Sequence, residues 1–198
     1  MTWQKNSQAT TYIITITDKE GWEARAVENV MKQDIHKRHP RKLKWMVVTP
    51  KYNAKINMFS DLFLGSMLMP PHKVDDVPYS FTNCLTRALR GMSSHTYNII
   101  FYNGDYDIDE SAMYNLLKDR PHKYKGGAIC YKPDSNEGIK KIPHGYFDFS
   151  LALVSHKHIK SSLPASDDKE LLRNLYYNGG KFYSYGSGSS KKHNSMSK

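Results

Sequence analysis

The chain has 198 residues, a formal net charge of +10 at pH 7 and 39% hydrophobic residues. That length suits a single domain with its own core, and an aromatic content of 12% excludes a chain that is disordered throughout. No apolar run approaches the roughly 18 residues that a membrane-spanning helix needs. The polar N-terminus also lacks the apolar core of a signal peptide. We therefore expect a cytoplasmic protein without a membrane span.

The cysteines and the net charge further restrict the classes of protein to which this chain can belong. Cys84 and Cys130 lie far apart, so neither a disulfide framework nor a cysteine-based zinc site is indicated, and both are expected as buried thiols. The excess of Lys and Arg predicts attraction to polyanions such as nucleic acid, nucleotides or an anionic surface. A plain basic surface remains an open alternative.

The first half of the chain alternates strand-like and helix-like stretches. The β-branched run at 12–17 predicts a buried strand, and Asp18 follows as a cap for a helix. One face of that helix is expected to carry the apolar residues Trp22, Ala26, Val27, Val30 and Met31. A second strand is predicted at 44–49. The segment 51–79, rich in Met and Pro, is predicted as a long loop with a short helix.

The second half continues the alternation. Helices are predicted at 81–92, 110–117 and 168–177, and strands at 97–102, 127–131, 149–154 and 181–185. This order predicts one α/β domain at 12–185 with a mostly parallel sheet flanked by helices. The N-terminal residues 1–11 and the Gly/Ser/Lys tail 186–198 are expected to be flexible. In such domains ligands bind beyond the carboxyl ends of the strands.

An acidic turn follows the strand at 97–102. It reads Asn103-Gly104-Asp105-Tyr106-Asp107-Ile108-Asp109-Glu110 and is the only dense acidic cluster in the chain. Carboxylates there can hold a hard divalent cation, which in turn binds phosphate oxygens. For Asp109 and Glu110 the preferred interpretation is a solvated turn that begins a helix. For Asp105 the metal and the solvated-turn interpretations stay equally open.

The order of these segments resembles the nucleotide-sugar glycosyltransferases of the GT-A fold, most closely family 2. Asn83 and Ala88 lie on a helix before a strand that ends in the turn at 103–105. The first helix ends on Gln33, and the acidic pair Asp167-Asp168 opens a late helix that ends in Gly before a short strand. The resemblance covers about residues 12–185. It implies a single GT-A-like, Rossmann-related domain.

The resemblance also implies roles at the acidic turn. Asp105 matches the second acid of an Asp-x-Asp turn, which holds Mn²⁺ or Mg²⁺ on the diphosphate of the donor sugar nucleotide. Asn103 stands in place of the first acid and Gly104 lies between them. An amide adds no charge, so Asp107 is a further candidate metal ligand.

By the same resemblance Asp168 is the general base of an inverting transfer, and Asp167 is either a second catalytic acid or, preferably, a helix cap. The positions that match the donor site are Thr15, Thr17, Asp18, Thr49, Lys51 and Tyr52, together with Asn103 and Gly104. UDP is the expected carrier. The family's membrane-bound synthases carry a Gln-x-x-Arg-Trp motif that this sequence lacks, which favours transfer of a single sugar.

The acceptor is open. Basic segments interleaved with tyrosines favour a nucleic-acid acceptor, in the form of a hydroxymethylated DNA base that the enzyme flips out. A glycan or protein acceptor is an alternative. Two other classes are a non-catalytic nucleic-acid-binding module and a metal-dependent nuclease built on Asp105, Asp107 and Asp109. The sequence leaves the sugar and the oligomeric state open.

Overall fold

The computed structural model describes residues 11–16, 22–35, 43–48, 68–69, 81–92, 94, 96–104, 107–118, 127–132, 135 and 138–186. Every structural statement below concerns these residues. Within them, no helix has the length and apolar character needed to cross a membrane. Most of the predicted loop at 51–79, the first ten residues and the tail from 187 onward lie outside them.

Eight strands form one sheet in the described part of the chain. They are β1 (Thr11–Ile16), β2 (Leu43–Val48), β3 (Leu68–Met69), β4 (Asn98–Tyr102), β5 (Gly127–Tyr131), β6 (Gly138–Lys141), β7 (Leu151–Ser155) and β8 (Lys181–Gly186). Their spatial order is β3-β2-β1-β4-β7-β5-β8-β6. The pairs β1–β2, β1–β4, β2–β3 and β5–β8 are parallel, and β4–β7, β5–β7 and β6–β8 are antiparallel. The predicted α/β class is confirmed.

Among the residues that the structure describes, five helices flank the sheet. They are α1 (Trp22–Met31), α2 (Phe81–Gly91), α3 (Ala112–Lys118), α4 (His156–Ser161) and α5 (Asp168–Tyr177), with one turn of 3₁₀ helix at His144–Tyr146. Residues of α1 and α3 pack on one face of the sheet, and residues of α2, α4 and α5 pack on the other. The sheet is therefore the middle of three layers.

The alternation of side chains along the strands divides the core in two. On β1, Ile13 faces the core under α1 and α3, whereas Ile14 faces the core under α2 and α5. Trp45 fills the first core and Phe101 the second, both almost fully buried. Because the central strands are covered on both faces, they read as nearly continuous apolar runs, which explains why the sequence predicted them well.

The topology gives the sheet two ends. The last residues of β1, β2, β4, β5 and β8 lie at one end, which we call the carboxyl end. Because β7 is antiparallel to β4, its first residue Leu151 pairs with Tyr102 at this same end, and its last residue Ser155 pairs with Asn98 at the opposite, amino end. The chain reverses its direction of strand addition between β1 and β4, which creates a topological switch point at the carboxyl end.

The structure corrects several local predictions. Met31 was expected in the core but is 39% exposed. No element was predicted directly after β7, but this segment forms α4, in which Ile159 is buried. Strand β6 was not predicted, since it pairs only with β8 and its mostly exposed residues lack an apolar alternation. The two cysteines are buried free thiols, as predicted.

Candidate active site

The turn after β4 begins the candidate site. Asn103 is half-buried, and Gly104 is buried with φ of 82°. Glycine adopts this left-handed conformation without the steric cost that a Cβ imposes. The chain therefore turns sharply at the carboxyl end of the sheet. Asp105, the next residue, lies outside the described residues.

A hydrogen-bonded network from the start of β7 holds this turn. Ser150 Oγ donates to Asp148 Oδ1 at 2.7 Å, and Asn103 Nδ2 donates to Ser150 Oγ at 3.1 Å. The backbone N–H of Asn103 also donates to the Ser150 carbonyl at 3.0 Å. Sequence reasoning missed Asp148 and Ser150. The available signal was the Asp-Phe-Ser spacing, in which an Asp side chain accepts from the backbone two residues later, here at 2.8 Å.

Two buried amides, one on α1 and one two residues after it, hold the segment that follows the turn. Asn29 Nδ2 donates to Asp107 Oδ1 at 3.2 Å, and its Oδ1 accepts from the Ile108 N–H at 3.2 Å. Gln33 Nε2 donates to the Asp109 carbonyl at 2.7 Å, and its Oε1 accepts from the Met113 N–H at 3.1 Å. Both amide side chains are only 1% exposed, so these hydrogen bonds replace the ones that the amides would make to water in the unfolded chain. Segment 107–113 is thus fixed to α1.

Asp109 serves the local structure. Its Oδ1 accepts from the Ser111 N–H at 2.9 Å, and its Oδ2 accepts from the Tyr131 hydroxyl at 3.1 Å. These contacts join the start of α3 to the end of β5. The structure thus assigns Asp109 the helix-initiating role that the sequence favoured for it.

The described residues do not by themselves build a metal centre. They contain no group of three or more His, Cys, Asp or Glu side chains placed to hold an ion. Asp107 is half-buried, and its carboxylate already accepts the hydrogen bond from Asn29. A metal site at this turn would therefore need Asp105. The assignment of Asp105 and Asp107 as ligands stays a prediction.

Helix α5 begins with three acids in different environments. Asp167 is the N-cap, and its Oδ1 accepts from the Glu170 N–H at 2.7 Å. Glu170 accepts in return from the N–H and the hydroxyl of Ser166, both at 2.6 Å, which completes a variant of the capping box that reaches the residue before the N-cap. The side-chain hydrogen bond from Ser166, followed by its backbone bond, lowers the pKa of Glu170. Asp168 is exposed in the first turn and takes no part in this cap.

A series of contacts brings the start of α5 to the same end of the sheet as the turn. Thr82 Oγ1, in the first turn of α2, donates to the Ser166 carbonyl at 3.1 Å. The neighbouring Phe81 ring lies 5.3 Å from the Phe149 ring, next to the network that holds the turn. Segments that are more than 60 residues apart in sequence, 103–104 and 166–168, therefore flank one end of the fold.

Of the residues predicted to bind the donor, the structure describes Thr15, Asn103 and Gly104. Thr15 is fully buried, and its Oγ1 accepts a hydrogen bond from Trp45 Nε1 at 3.0 Å. In this structure its side chain is therefore part of the core. The other predicted contacts from the ends of β1 and β2 lie outside the described residues, namely Thr17, Asp18, Thr49, Lys51 and Tyr52. Their roles, and that of Thr15, stay predictions.

The strand order, the switch point between β1 and β4 and the glycine turn at the carboxyl end define a GT-A-like fold, and comparison with solved structures confirms it. A mannosyltransferase from Pyrobaculum calidifontis, in complex with GDP-Man and Mn²⁺, matches with a TM-score of 0.68 at 12% identity, over 97% of this chain and 59% of that one. GalNAc-T7, in complex with UDP, GalNAc and Mn²⁺, matches with a TM-score of 0.63 at 10% identity, over 90% of this chain and 42% of that one.

A third match is a different kind of enzyme, and the alignment covers nearly all of both chains. A 4-diphosphocytidyl-2C-methyl-D-erythritol synthase from Anaerococcus prevotii matches with a TM-score of 0.55 at 12% identity, over 94% of this chain and 92% of that one. No protein-family model and no curated protein matches by sequence. At these identities the matches establish the fold alone. The chain spans well under two thirds of both glycosyltransferases.

Proposed function

We propose that this protein is a glycosyltransferase that moves one sugar from a nucleoside-diphosphate sugar to a hydroxyl acceptor. The fold supports this, because two proteins that share it were captured with UDP or GDP-Man and Mn²⁺. The order of motifs in the sequence supports it independently. UDP is the proposed carrier, since it is the commonest in the family that the sequence resembles.

One observation carries the proposal. The turn at Asn103 and Gly104 lies at the switch point, where such folds bind ligands, and it is anchored by Ser150. Segment 107–113, directly after it, is anchored by Asn29 and Gln33. Polar groups fixed before the substrate arrives need no reorganisation during the reaction, which is the requirement for stabilising charge on a leaving group.

Asp105 and Asp107 are the residues proposed to hold Mn²⁺ or Mg²⁺. A divalent cation bound there would offset the negative charge on the departing diphosphate. Asn103 contributes an amide in place of a carboxylate, so we expect weaker metal affinity than a pair of acids would give. The test is a thermal-shift series with UDP, with and without Mn²⁺, on the wild type and Asp105→Ala. Stabilisation by UDP that Mn²⁺ enhances only in the wild type supports the assignment.

Asp168 is the proposed general base. Of the three acids at the start of α5, Asp167 and Glu170 are engaged in the capping box, whereas Asp168 is exposed and outside it. A carboxylate that removes a proton from the acceptor hydroxyl, on the face of the sugar opposite the leaving group, produces inversion. The anomeric configuration of the product, read by NMR, tests this. A retained configuration would contradict the role of Asp168.

The proposed acceptor is nucleic acid, in the form of a hydroxymethylated base in DNA, and the supporting observation is the net charge of +10. A radiolabelled UDP-sugar incubated with hydroxymethylcytosine-containing DNA tests this, with unmodified DNA as the control. Label that enters a glycan or a protein in place of the modified DNA would contradict it and support the alternative acceptors. UDP-sugars that neither bind nor hydrolyse would support the non-catalytic binding module.

Nucleotidyl transfer is a second candidate function. Its supporting observation is coverage, because the chain matches 92% of the cytidyl-type synthase but only 59% and 42% of the two glycosyltransferases. The two reactions release different products. Pyrophosphate formed from CTP and a phosphorylated sugar alcohol would support nucleotidyl transfer, whereas UDP formed from a UDP-sugar would support glycosyl transfer.

A further inference from the structure

The amino end of the sheet carries exposed aromatic rings. Among the described residues, four of the five large apolar side chains that are exposed are tyrosines: Tyr97 at 64%, Tyr146 at 72%, Tyr176 at 51% and Tyr177 at 80%. Tyr97 directly precedes β4, Tyr146 follows β6 in the 3₁₀ turn, and the other two end α5 just before β8. Large rings rarely stay exposed together without a partner.

A cavity of about 350 Å³ opens between the end of α2 and α4, and the N–H of His156, one of its lining residues, donates to the Tyr97 carbonyl at 3.0 Å. Its cationic lining comes from Arg90 and Lys160, with His156 beside them, and its apolar lining includes Leu89 and Leu163. The Nε2 atom of His156 is buried without a hydrogen-bond partner in the described structure. The cavity therefore combines cationic side chains with an apolar surface.

A second cavity of about 500 Å³ lies between β6, β8 and the end of α5. Lys141 and Lys181 line it, and His144 stacks on Tyr176 with 4.7 Å between ring centroids. Like the first cavity, it combines two cationic side chains with apolar residues and has no carboxylate in its described lining.

Helices that line the two cavities are in contact. The end of α4 packs on the end of α5, where Asn178 Nδ2 donates to the Ser161 carbonyl and Asn174 Nδ2 donates to the Ser162 carbonyl, each at 3.0 Å. Strands β4 and β6 are four strand spacings apart in the sheet, which is about 19 Å. We call this surface, from Tyr97 across both cavities to Tyr146, the amino-end track.

Charge along the amino-end track has one sign. The stretches 81–104, 138–147, 149–166 and 171–186, which supply its described residues, contain no Asp or Glu. The antiparallel pairing of β4 with β7 brings the first and third of these stretches together, so Arg90 and Lys160 line the same cavity. An extended anion would meet cations along the whole track.

We propose that the amino-end track binds single-stranded nucleic acid. Unpaired bases stack on the exposed tyrosines, and Arg90, Lys160, Lys141 and Lys181 neutralise the phosphates between them. Rings alternating with cations are what a single strand requires, because every base has a face that stacks and every link carries a charge. The track lies at the opposite end of the sheet from the candidate active site, so the proposal stands independently of glycosyl transfer.

The experiment measures anisotropy of a fluorescein-labelled single strand of about 16 nucleotides. Tyr177→Ala is expected to weaken binding about tenfold, whereas Tyr177→Phe, which keeps the ring, is expected to bind as the wild type does. The Tyr177 ring lies 5.8 Å from the Tyr176 ring, which lines the second cavity. Tyr177 is 80% exposed, so we expect its replacement to leave the fold intact. Wild-type affinity in Tyr177→Ala would overturn the proposal.

A second pair of variants separates the track from general surface charge. The double variant Arg90→Ala/Lys160→Ala is expected to lower the slope of log affinity against log salt by about 1.4, at about 0.7 per phosphate contact. The matched control Arg25→Ala/Lys118→Ala removes the same charge from exposed positions on α1 and α3. Equal losses in both double variants, or a duplex of the same sequence bound as tightly as the single strand, would overturn the proposal. UDP-sugar hydrolysis measured on the same proteins is expected to be unchanged.

Discussion

The carboxyl end of the sheet holds polar groups in fixed hydrogen bonds, whereas the amino end exposes rings and cations. At the carboxyl end Asn103 is tied to Ser150, and Asp167 and Glu170 are tied into a capping box. At the amino end Tyr177 is 80% exposed and Lys160 is exposed beside a cavity. Fixed polar groups suit chemistry on a small ligand, and exposed rings with cations suit a long flexible one.

The largest expected effect lies at the carboxyl end. Asp168→Asn is expected to lower the rate of sugar transfer at least a hundredfold, because the amide cannot accept the acceptor's proton. Donor binding, measured by thermal shift with UDP, is expected to stay unchanged. Asp167→Asn is the matched control, since asparagine caps a helix about as well as aspartate. Equal rates of sugar transfer for Asp168→Asn and the wild type would contradict the role of Asp168 as the general base.

The second effect tests the fixed segment after the turn. Gln33→Leu keeps the bulk of the side chain but removes the acceptor of the Met113 N–H and one of the two hydrogen bonds that the Asp109 carbonyl accepts, the other coming from the Ala112 N–H. We expect the free energy of unfolding to fall by about 2–3 kcal/mol, measured by urea denaturation. Gln33→Glu is expected to lower the free energy of unfolding at least as much, because it would bury a carboxylate oxygen against the Asp109 carbonyl in place of the amide donor. An unchanged midpoint would show that segment 107–113 is held by other contacts.

The third effect concerns the turn itself. Ser150→Ala removes the hydroxyl that links Asn103 to Asp148 and is expected to cost about 1 kcal/mol of stability. Because the turn then loses a support, the affinity for UDP is also expected to fall. Ser161→Ala, on the exposed end of α4, is the control that should leave UDP affinity unchanged. Loss of stability without loss of affinity would separate the network from the donor site.

The smallest effect is a pH dependence at the amino end. Burial, and secondarily the charge of Lys160, lower the pKa of His156 from 6.5, while a backbone hydrogen bond to Thr96 opposes the shift. Arg90 from α2 lines the same cavity. The unfolded chain therefore binds the proton more readily, and the free energy of unfolding falls as the pH drops through 6.5 and below.

His156→Gln is expected to flatten that decline. Urea denaturation between neutral and mildly acidic pH measures it, and the remaining histidines cancel when the two proteins are compared. A steeper decline in the variant would contradict the buried neutral imidazole.

The sequence predicted the central strands and long helices because their patterns are local. The apolar runs of β1, β2 and β4 and the helix at 168–177 depend on neighbours within one element. It also pointed to the turn at 103–105 and to Gln33, whose side chain does hold the segment after that turn. Edge strand β6 and helix α4 were missed because their residues bury little apolar surface.

What only the tertiary structure decided is which distant residues meet. Nothing local links Asn103 to Ser150 or Arg90 to Lys160; the antiparallel pairing of β4 with β7 creates both neighbourhoods. The packing of the core also pairs the Thr15 hydroxyl with Trp45, although the position of Thr15 near the end of a strand suggested a ligand contact. Residue type and spacing along the chain determine elements and their order, whereas contacts between elements depend on register and strand direction, which a single sequence does not encode in any short pattern.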